Sequence, residues 1–456
     1  MHFTDIKSIL NRQLIALFKP ASLYPLVLVR VMFGAVMAGW ALNMLLNGTL
    51  SELFTSGNFV FHYKGFAWIE PPGTTSLYLV FMLIALSALL LGAGLFFKIS
   101  TLVFILAFGY ITLIDKSNYL SYYYFVIIMA LMLLVSPAHR LFSLDLIRKP
   151  SIRVDFIPTW FMLAMKIQVV LVFFFAGMGK LNYDWLFEGR PLSLWLMEAF
   201  RNWGLYIDLT GSFKWLAILL SWLLILSDFI FPHFLFDKKT ATGTFLLFLC
   251  LQVISLVLFP VGFFPVLFCV SCLIFLPPAG IHEFISRISY FLYDVFQFKG
   301  DVFKPGGGYM LEYRNKRLMI VLISVFLGFQ LSWPVVAYMK WGALKWADTI
   351  FHFSWNMELY EKSGSVTFWK IDTVSGRESK IHLDTYLTQH QQKFMAQDPR
   401  MILQFANYLK AILPGQVEIR ADLSLSMNGR EPFVVVEKSK DLFTQLEAYK
   451  SGVASK

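Results

Sequence analysis

Nine stretches of nearly unbroken apolar residues divide the first three quarters of the chain. They fall at about 24–46, 75–97, 99–115, 121–137, 159–181, 214–236, 243–259, 261–278 and 318–339. A helix rising 1.5 Å per residue needs about 20 apolar residues to cross a hydrocarbon core of about 30 Å. Within that core every backbone polar group must be bonded inside its own segment, so each stretch predicts a helix. Several are short for a full crossing, and those tilt, re-enter or merge.

The polar breaks between the spans carry an orienting charge. Lys7, Arg12 and Lys19, then Lys98, the run Arg140 to Arg153, Lys238–Lys239 and the segment Arg287 to Arg317 all fall on one side if there are nine spans. Basic loops stay in the cytoplasm, so the N-terminus is expected there. Residues 47–74, 116–120, 182–213 and everything after 340 then face outward. Residues 1–22 mix cations with apolar residues and read as an interfacial amphipathic helix rather than a cleavable signal.

Beyond residue 340 the pattern changes from unbroken runs to alternation. Ser365–Ile371, Gln416–Arg420 and Pro432–Glu437 alternate as strands do, around a helical stretch at about Leu383 to Ile412. The expected fold class is therefore a polytopic α-helical membrane protein of about nine spans with a C-terminal extracytoplasmic α+β domain. Its expected parts are the amphipathic segment 1–22, a transmembrane domain 23–339 and the outer domain 340–456.

Composition agrees with the pattern. Of 456 residues 57% are hydrophobic and 15% charged, which excludes an ordinary soluble protein and makes the bilayer a partner. The net charge of +10 resides largely in the inter-helix loops, so nucleic acid is not expected. Cys269 and Cys272 have redox spacing but lie in an apolar run with no βαβ pattern. The eight histidines show no ligand spacing, and no metal is expected. Pro305-Gly-Gly-Gly308 lacks the Lys-Ser/Thr of a phosphate loop and receives no phosphate role.

Charge at membrane depth needs a reason. Arg30 in the first span and Asp228 in the sixth are expected to form a structural ion pair. Lys166 lies about 21 Å along the helix from Lys180 and cannot share a site with it. Lys180 itself ends the run Leu171-Val-Phe-Phe-Phe-Ala-Gly-Met-Gly-Lys180 and is followed by polar Asn182 and Asp184. Such a lysine either snorkels to the headgroups or serves as a buried amine. Gly177 and Gly179 let another helix or a flat ligand approach it closely. Asp184, about one turn on, is placed to bear on its charge. The tyrosines of Asn118–Tyr124 form either an interfacial belt or a wall for a planar ring.

With these residues in hand, the chain resembles the vitamin K-dependent gamma-carboxylase family, whose membrane part is called the HTTM domain, from about residue 10 to 430. Phe175-Ala-Gly-Met-Gly-Lys-Leu-Asn-Tyr-Asp-Trp185 resembles the family segment Ala-Gly-x-Lys-Lys-Leu-x-x-Asp-Trp. Arg30-Val-Met-Phe-Gly34, Phe97-Lys-Ile-Ser100, Leu113-Ile-Asp-Lys116, Phe259-Pro-Val-Gly-Phe263 and Phe353-Ser-Trp-Asn-Met357 match in the same order. The chain is shorter than the animal enzymes and is similar to a bacterial member of the inner membrane.

The resemblance implies a catalytic base at Lys180. It also implies vitamin K hydroquinone or menaquinol as cofactor, O2 and CO2 as co-substrates, and an extracytoplasmic peptide or protein whose Glu is carboxylated. It implies cofactor contacts at Ser121, Tyr122 and Gln252, beside the close approach that Gly177 allows; Trp355 and Met357 are candidates either to hold the substrate or to pack the core of the α+β domain. Where the family carries an Asn-His pair this chain has Ser121 and Tyr122. Gln252 stands for a family His, and Gly179 for the first of two lysines. Ser, Tyr and Gln still hydrogen-bond but supply no imidazole. These departures bear on glutamate carboxylation more than on quinone binding. Two functions therefore stay open: the carboxylase, and a homologue without carboxylation that binds a quinone or lipid and assists maturation or export of a partner. A transporter is disfavoured because no inverted repeat appears.

Overall fold

The computed structural model describes residues 15–54, 57–259, 262–296, 315–340, 353–355 and 359–450. Most of the amphipathic segment 1–22, the Pro305–Gly308 turn and Met357 lie outside them.

A short strand β1 (Pro20–Ser22) pairs antiparallel with β2 (Phe156–Pro158) and joins the roots of two long helices, α1 (Tyr24–Leu46) and α5 (Thr159–Lys180). Between these helices run α2 (Thr74–Ala93), α3 (Phe97–Ile114) and α4 (Ser121–Val135). After α5 come α6 (Leu192–Asn202), α7 (Lys214–Phe236), α8 (Ala241–Leu258), α9 (Phe264–Cys272), α10 (Pro278–Phe296) and α11 (Lys316–Lys340). Seven of these helices, α1, α2, α3, α5, α7, α8 and α11, are long and apolar enough to cross a membrane. An eighth crossing is counted if the bent pair containing α9 and α10 is one span.

The expectation of nine spans is thereby refined. Each apolar stretch is a helix, but α4 has 15 residues, about 22 Å, and α9 is shorter still. The chain turns by 110° at Leu276–Pro277 after α9 and its 3-10 extension, as a proline disfavours helix in the residue before it.

The helix ends gather at two faces. On one, the Asp145 carboxylate accepts from the Phe96 and Phe97 N–H groups and so caps α3, and Phe97 stacks on His139 at 5.1 Å. Lys166 lies over the rings of Phe236 and Phe275 at this face. On the other, Lys116 N–H donates to Phe61 O at 2.8 Å and Trp195 meets Phe259 at 6.1 Å between ring centroids. Glycine sets the closest approach between helices: a Cβ at Gly34 of α1 would lie 2.5 Å from the Gly92 Cα of α2.

The second face carries the C-terminal domain. Strands β3 (Lys362–Asp372), β4 (Glu378–Lys380), β5 (Val417–Met427) and β6 (Phe433–Val436) form an antiparallel sheet of order β4-β3-β5-β6. Val417, Ile419, Ala421, Leu423 and Leu425 alternate inward along β5. They meet the stripe Met401, Ile402, Phe405, Ala406 and Leu409 on α13 (Pro399–Ile412), which follows α12 (Gln389–Met395). The helical stretch expected across 383–412 is thus two helices, broken at 396–398, where Asp398 caps the second. A final helix α14 (Leu442–Lys450) closes the domain.

This domain shares its core with the bundle's outer loop. Phe59 packs on Tyr408 and Phe405 at 4.5 and 5.5 Å, and Phe61 is fully buried in the same cluster. In exchange, Trp355 is buried in the helical bundle's core against Tyr124 and Phe125.

Candidate functional site

Lys180 is the last residue of α5, and it is buried, with 9% of its surface exposed. Its Nζ donates to Asp228 Oδ2 on α7 at 2.6 Å and to its own helix at Ala176 O, 3.3 Å. The amine also lies 5.7 Å from the centre of the Trp185 ring. It does not snorkel, because the chain after it folds back as a cover. Trp185, Leu192 and Leu196 pack on Ala217 and Ile225 of α7 and on Leu359 of the outer domain.

Two phenols hold the last two turns of α5 in place. Tyr338 of α11 donates to Phe175 O at 3.1 Å, and Tyr360 donates to Gly179 O at 3.1 Å while accepting from Asn182 Nδ2. Burial first, then Tyr338 and Asp184, push the Tyr360 phenol well above the ordinary tyrosine range, so it stays a donor. Trp185 Nε1 donates to Leu359 O at 3.1 Å. The base of the outer domain therefore fixes the turn that carries the amine.

Several sequence expectations are rearranged. Arg30 and Asp228 do not pair. Arg30 sits within the first two turns of α1, and Asp228 lies beside the opposite end of α5. The guanidinium instead donates to Gly92 O (3.2 Å), Ala138 O (2.7 Å), Leu141 O (3.3 Å) and Phe142 O. Asp184 points away from the amine, to Asn428 Nδ2 at 2.8 Å and to Arg430. Gly177 admits a helix rather than a flat ligand: a Cβ there would lie 2.8 Å from the Phe229 ring and 3.2 Å from Asp228 Cβ.

Ser121 and Tyr122 open α4. Tyr122 stacks on Phe264 at 5.8 Å and meets Phe263 edge-on at 5.2 Å, so its ring is part of an aromatic cluster. Gln252 is half-buried on α8. Trp355, expected to touch a substrate, is 1% exposed and anchors the outer domain in the bundle. Phe353 and Trp355 adopt φ of 64° and 58°, the left-handed region that side chains rarely occupy.

Sequence reasoning missed Ser193 on α6 and Ser221 on α7. Both are fully buried, and neither hydroxyl has a partner among the described residues. Their positions carried one readable signal: Ala217, Ser221, Ile225 and Asp228 recur at helical spacing on one face. Tyr338 and Tyr360 gave none, because they reach α5 from distant parts of the chain.

An enclosed amine at a helix end, sealed by a strand-and-helix domain, is the arrangement the comparisons bear on. The family model described as HTTM domain matches residues 18–279, more than half of the chain. The model for the vitamin K-dependent gamma-carboxylase, lumenal domain, matches residues 315–452. The chain belongs to the HTTM and vitamin K-dependent gamma-carboxylase family. The HTTM match takes in α1 to α9, with both Lys180 and Asp228. The lumenal-domain match starts at the root of α11 and continues through the sheet and α14, so in this family member the last long helix goes with the outer domain. No solved structure matches the chain.

Proposed function

We propose that this carboxylase-family protein couples oxidation of a reduced quinone, vitamin K hydroquinone or menaquinol, by O2 to the addition of CO2 to Glu of an extracytoplasmic peptide or protein. Lys180 is the base. The observation that carries the reading is the enclosed Lys180 amine beneath Trp185 and the foot of the lumenal domain. A strong base needs such shelter, since water would quench it.

The residues fit the implied cofactor. The cover over Lys180 is apolar and aromatic, as a quinone ring requires, and the hydroxyls of Ser193 and Ser221, without a partner among the described residues, are buried on the two helices that carry Leu192, Leu196, Ala217 and Ile225 of that cover. Unsatisfied buried hydroxyls are costly, and a ligand oxygen satisfies them. A bound reduced quinone supplies a weakly acidic hydroxyl and reducing power towards O2. Lys180 Nζ takes the proton, Trp185 and the lumenal domain exclude water, and Ser193 and Ser221 orient the ring.

We read residues 23–339 as the membrane domain and 340–456 as the outer one, with the N-terminus in the cytoplasm of a bacterial cell and the lumenal domain outside. The basic loops 140–153 and 238–239 at the face of β1 and β2 support this orientation. The test is Lys180→Ala in purified protein. Quinol oxidation and labelled CO2 incorporation are lost while the fold is kept; unchanged oxygen-dependent turnover overturns the reading.

One observation favours a second reading. The position where the family carries a His holds Tyr122, whose ring is packed against Phe263 and Phe264. On this reading the protein binds a quinone or lipid without carboxylation and assists maturation or export of a partner. A co-purified quinone without CO2 incorporation selects it.

A further inference from the structure

The Lys180 amine faces a carboxylate, and an ammonium already engaged by a carboxylate cannot accept a proton. We propose that Asp228 is the positioning residue of this base: it aims the amine and takes the proton that Nζ must give up before it accepts another. The proposal rests on the base assignment above.

The geometry is specific. Asp228 Oδ2 lies 2.6 Å from Nζ, and the two side chains are 16% and 11% exposed. Ala176 O holds the amine from its own helix at 3.3 Å, and the Trp185 ring is 5.7 Å away. The other titratable groups around the pair are engaged elsewhere. Tyr338 and Tyr360 donate to α5 carbonyls, and Asp184 is held by Asn428 and Arg430.

The step balances. One N–H bond of the Lys180 ammonium breaks, its electron pair stays on Nζ, and an O–H bond forms on Asp228 Oδ2. The freed lone pair then takes the hydroxyl proton of a bound weak acid. The pair passes from net zero to net +1 as the ligand becomes an anion, so the enclosed site stays neutral overall. That suits a low-dielectric pocket, where unbalanced charge is costly.

The test needs no quinone, so it fails or succeeds separately from the proposed activity. Full-length protein in detergent is exposed to a small amine-acylating reagent across a pH series, and Lys180 modification is quantified by mass spectrometry. In Asp228→Asn the amine is released from the carboxylate that holds it, and Lys180 modification at neutral pH rises about tenfold or more. Asp228→Glu keeps the wild-type profile.

A second measurement covers the case in which Asp228→Asn fails to fold. In Lys180→Met the carboxyl keeps its place without a cation, and a protonated-carboxyl infrared band absent from wild type appears. The band vanishes in the double variant Lys180→Met/Asp228→Asn. A Lys180 profile unchanged in Asp228→Asn, or no new band in Lys180→Met, overturns the proposal.

Discussion

Lys180 Nζ and Asp228 Oδ2 lie 2.6 Å apart although 48 positions separate the residues. The contact joins the C-terminal end of α5 to the middle of α7. It turns a lysine that would otherwise reach for headgroups into an enclosed one. The same junction passes through Gly177, whose missing side chain leaves room for Phe229 and for Asp228 Cβ.

Gly177→Ala should therefore loosen the α5–α7 junction. The new methyl would sit 2.8 Å from the Phe229 ring, so the ring or the helices must move. Overpacking of this kind costs about 1–3 kcal/mol. The apparent melting temperature in detergent falls, and Lys180 becomes more reactive towards an amine reagent. Phe229→Leu in the same chain restores part of both. If the double variant is as poor as the single one, contact with Phe229 is not the cause.

The lumenal domain is held to the bundle by a second, separate charge pair. Lys116, just after α3, pairs with Asp398, and both side chains are more than nine-tenths buried. Next to them Gln391 Nε2 donates to Asp115 Oδ2 and to Phe59 O, each at 2.8 Å. Removing one partner strands the other charge, which costs about 3–5 kcal/mol. Asp398→Asn should raise hydrogen exchange in residues 57–61 and 115–118 and leave α1 to α3 protected. Lys116→Met/Asp398→Asn, which removes both charges and keeps a residue able to cap α13, should recover most of the protection. Uniform loss of protection across the bundle would contradict a local role.

The sequence made the helices legible because hydrocarbon imposes one simple condition on every residue of a span. It made Lys180 legible because a cation at the end of an apolar run stands out. Pairing was not legible. Arg30 and Asp228 are opposite charges at membrane depth, and charge alone matched them; depth along each helix separates them. Arg30 lies near the start of α1 and is satisfied by four backbone carbonyls, which leave no mark on side-chain composition. Trp355 was misplaced for a related reason. It follows a segment that reads as domain, yet its ring belongs to the bundle core.

Arg30→Lys tests that carbonyl nest. A guanidinium presents its donors in a fixed plane, and here Nε, Nη1 and Nη2 reach Gly92, Ala138, Leu141 and Phe142 together. An ammonium cannot span those four positions, and the carbonyls left unbonded each cost about 1–3 kcal/mol. The yield of folded protein and its apparent melting temperature should drop sharply. Lys180 labelling in the fraction that folds should be unchanged, since the nest lies at the other face. Wild-type stability in the Arg30→Lys variant would mean that one hydrogen bond suffices there.

Docking of the lumenal domain should weaken as the pH falls from neutral into the mildly acidic range, and His390 is the reason. Its ring packs on Phe394 at 4.7 Å, and Nε2 lies 3.2 Å from Ser117 O. Burial, partly opposed by the Ser117 carbonyl and Asp115 and aided by Lys393, lowers its pKa below 6.5. The unfolded or undocked chain therefore binds the proton first. Stability supplied by the neutral ring is complete above about 6.5 and is lost as pH falls towards the depressed value. Asp115, raised by burial, acts in the opposite sense, losing stability as pH climbs above the ordinary carboxylate value. Protection factors at residues 57–61 and 115–118, which correct for the intrinsic slowing of amide exchange in acid, should fall from neutral to mildly acidic pH in wild type. In His390→Gln, which keeps a side-chain N–H donor without titrating there, that fall should disappear, leaving the opposite trend set by Asp115. An equally steep fall in that variant would mean that His390 is not its source.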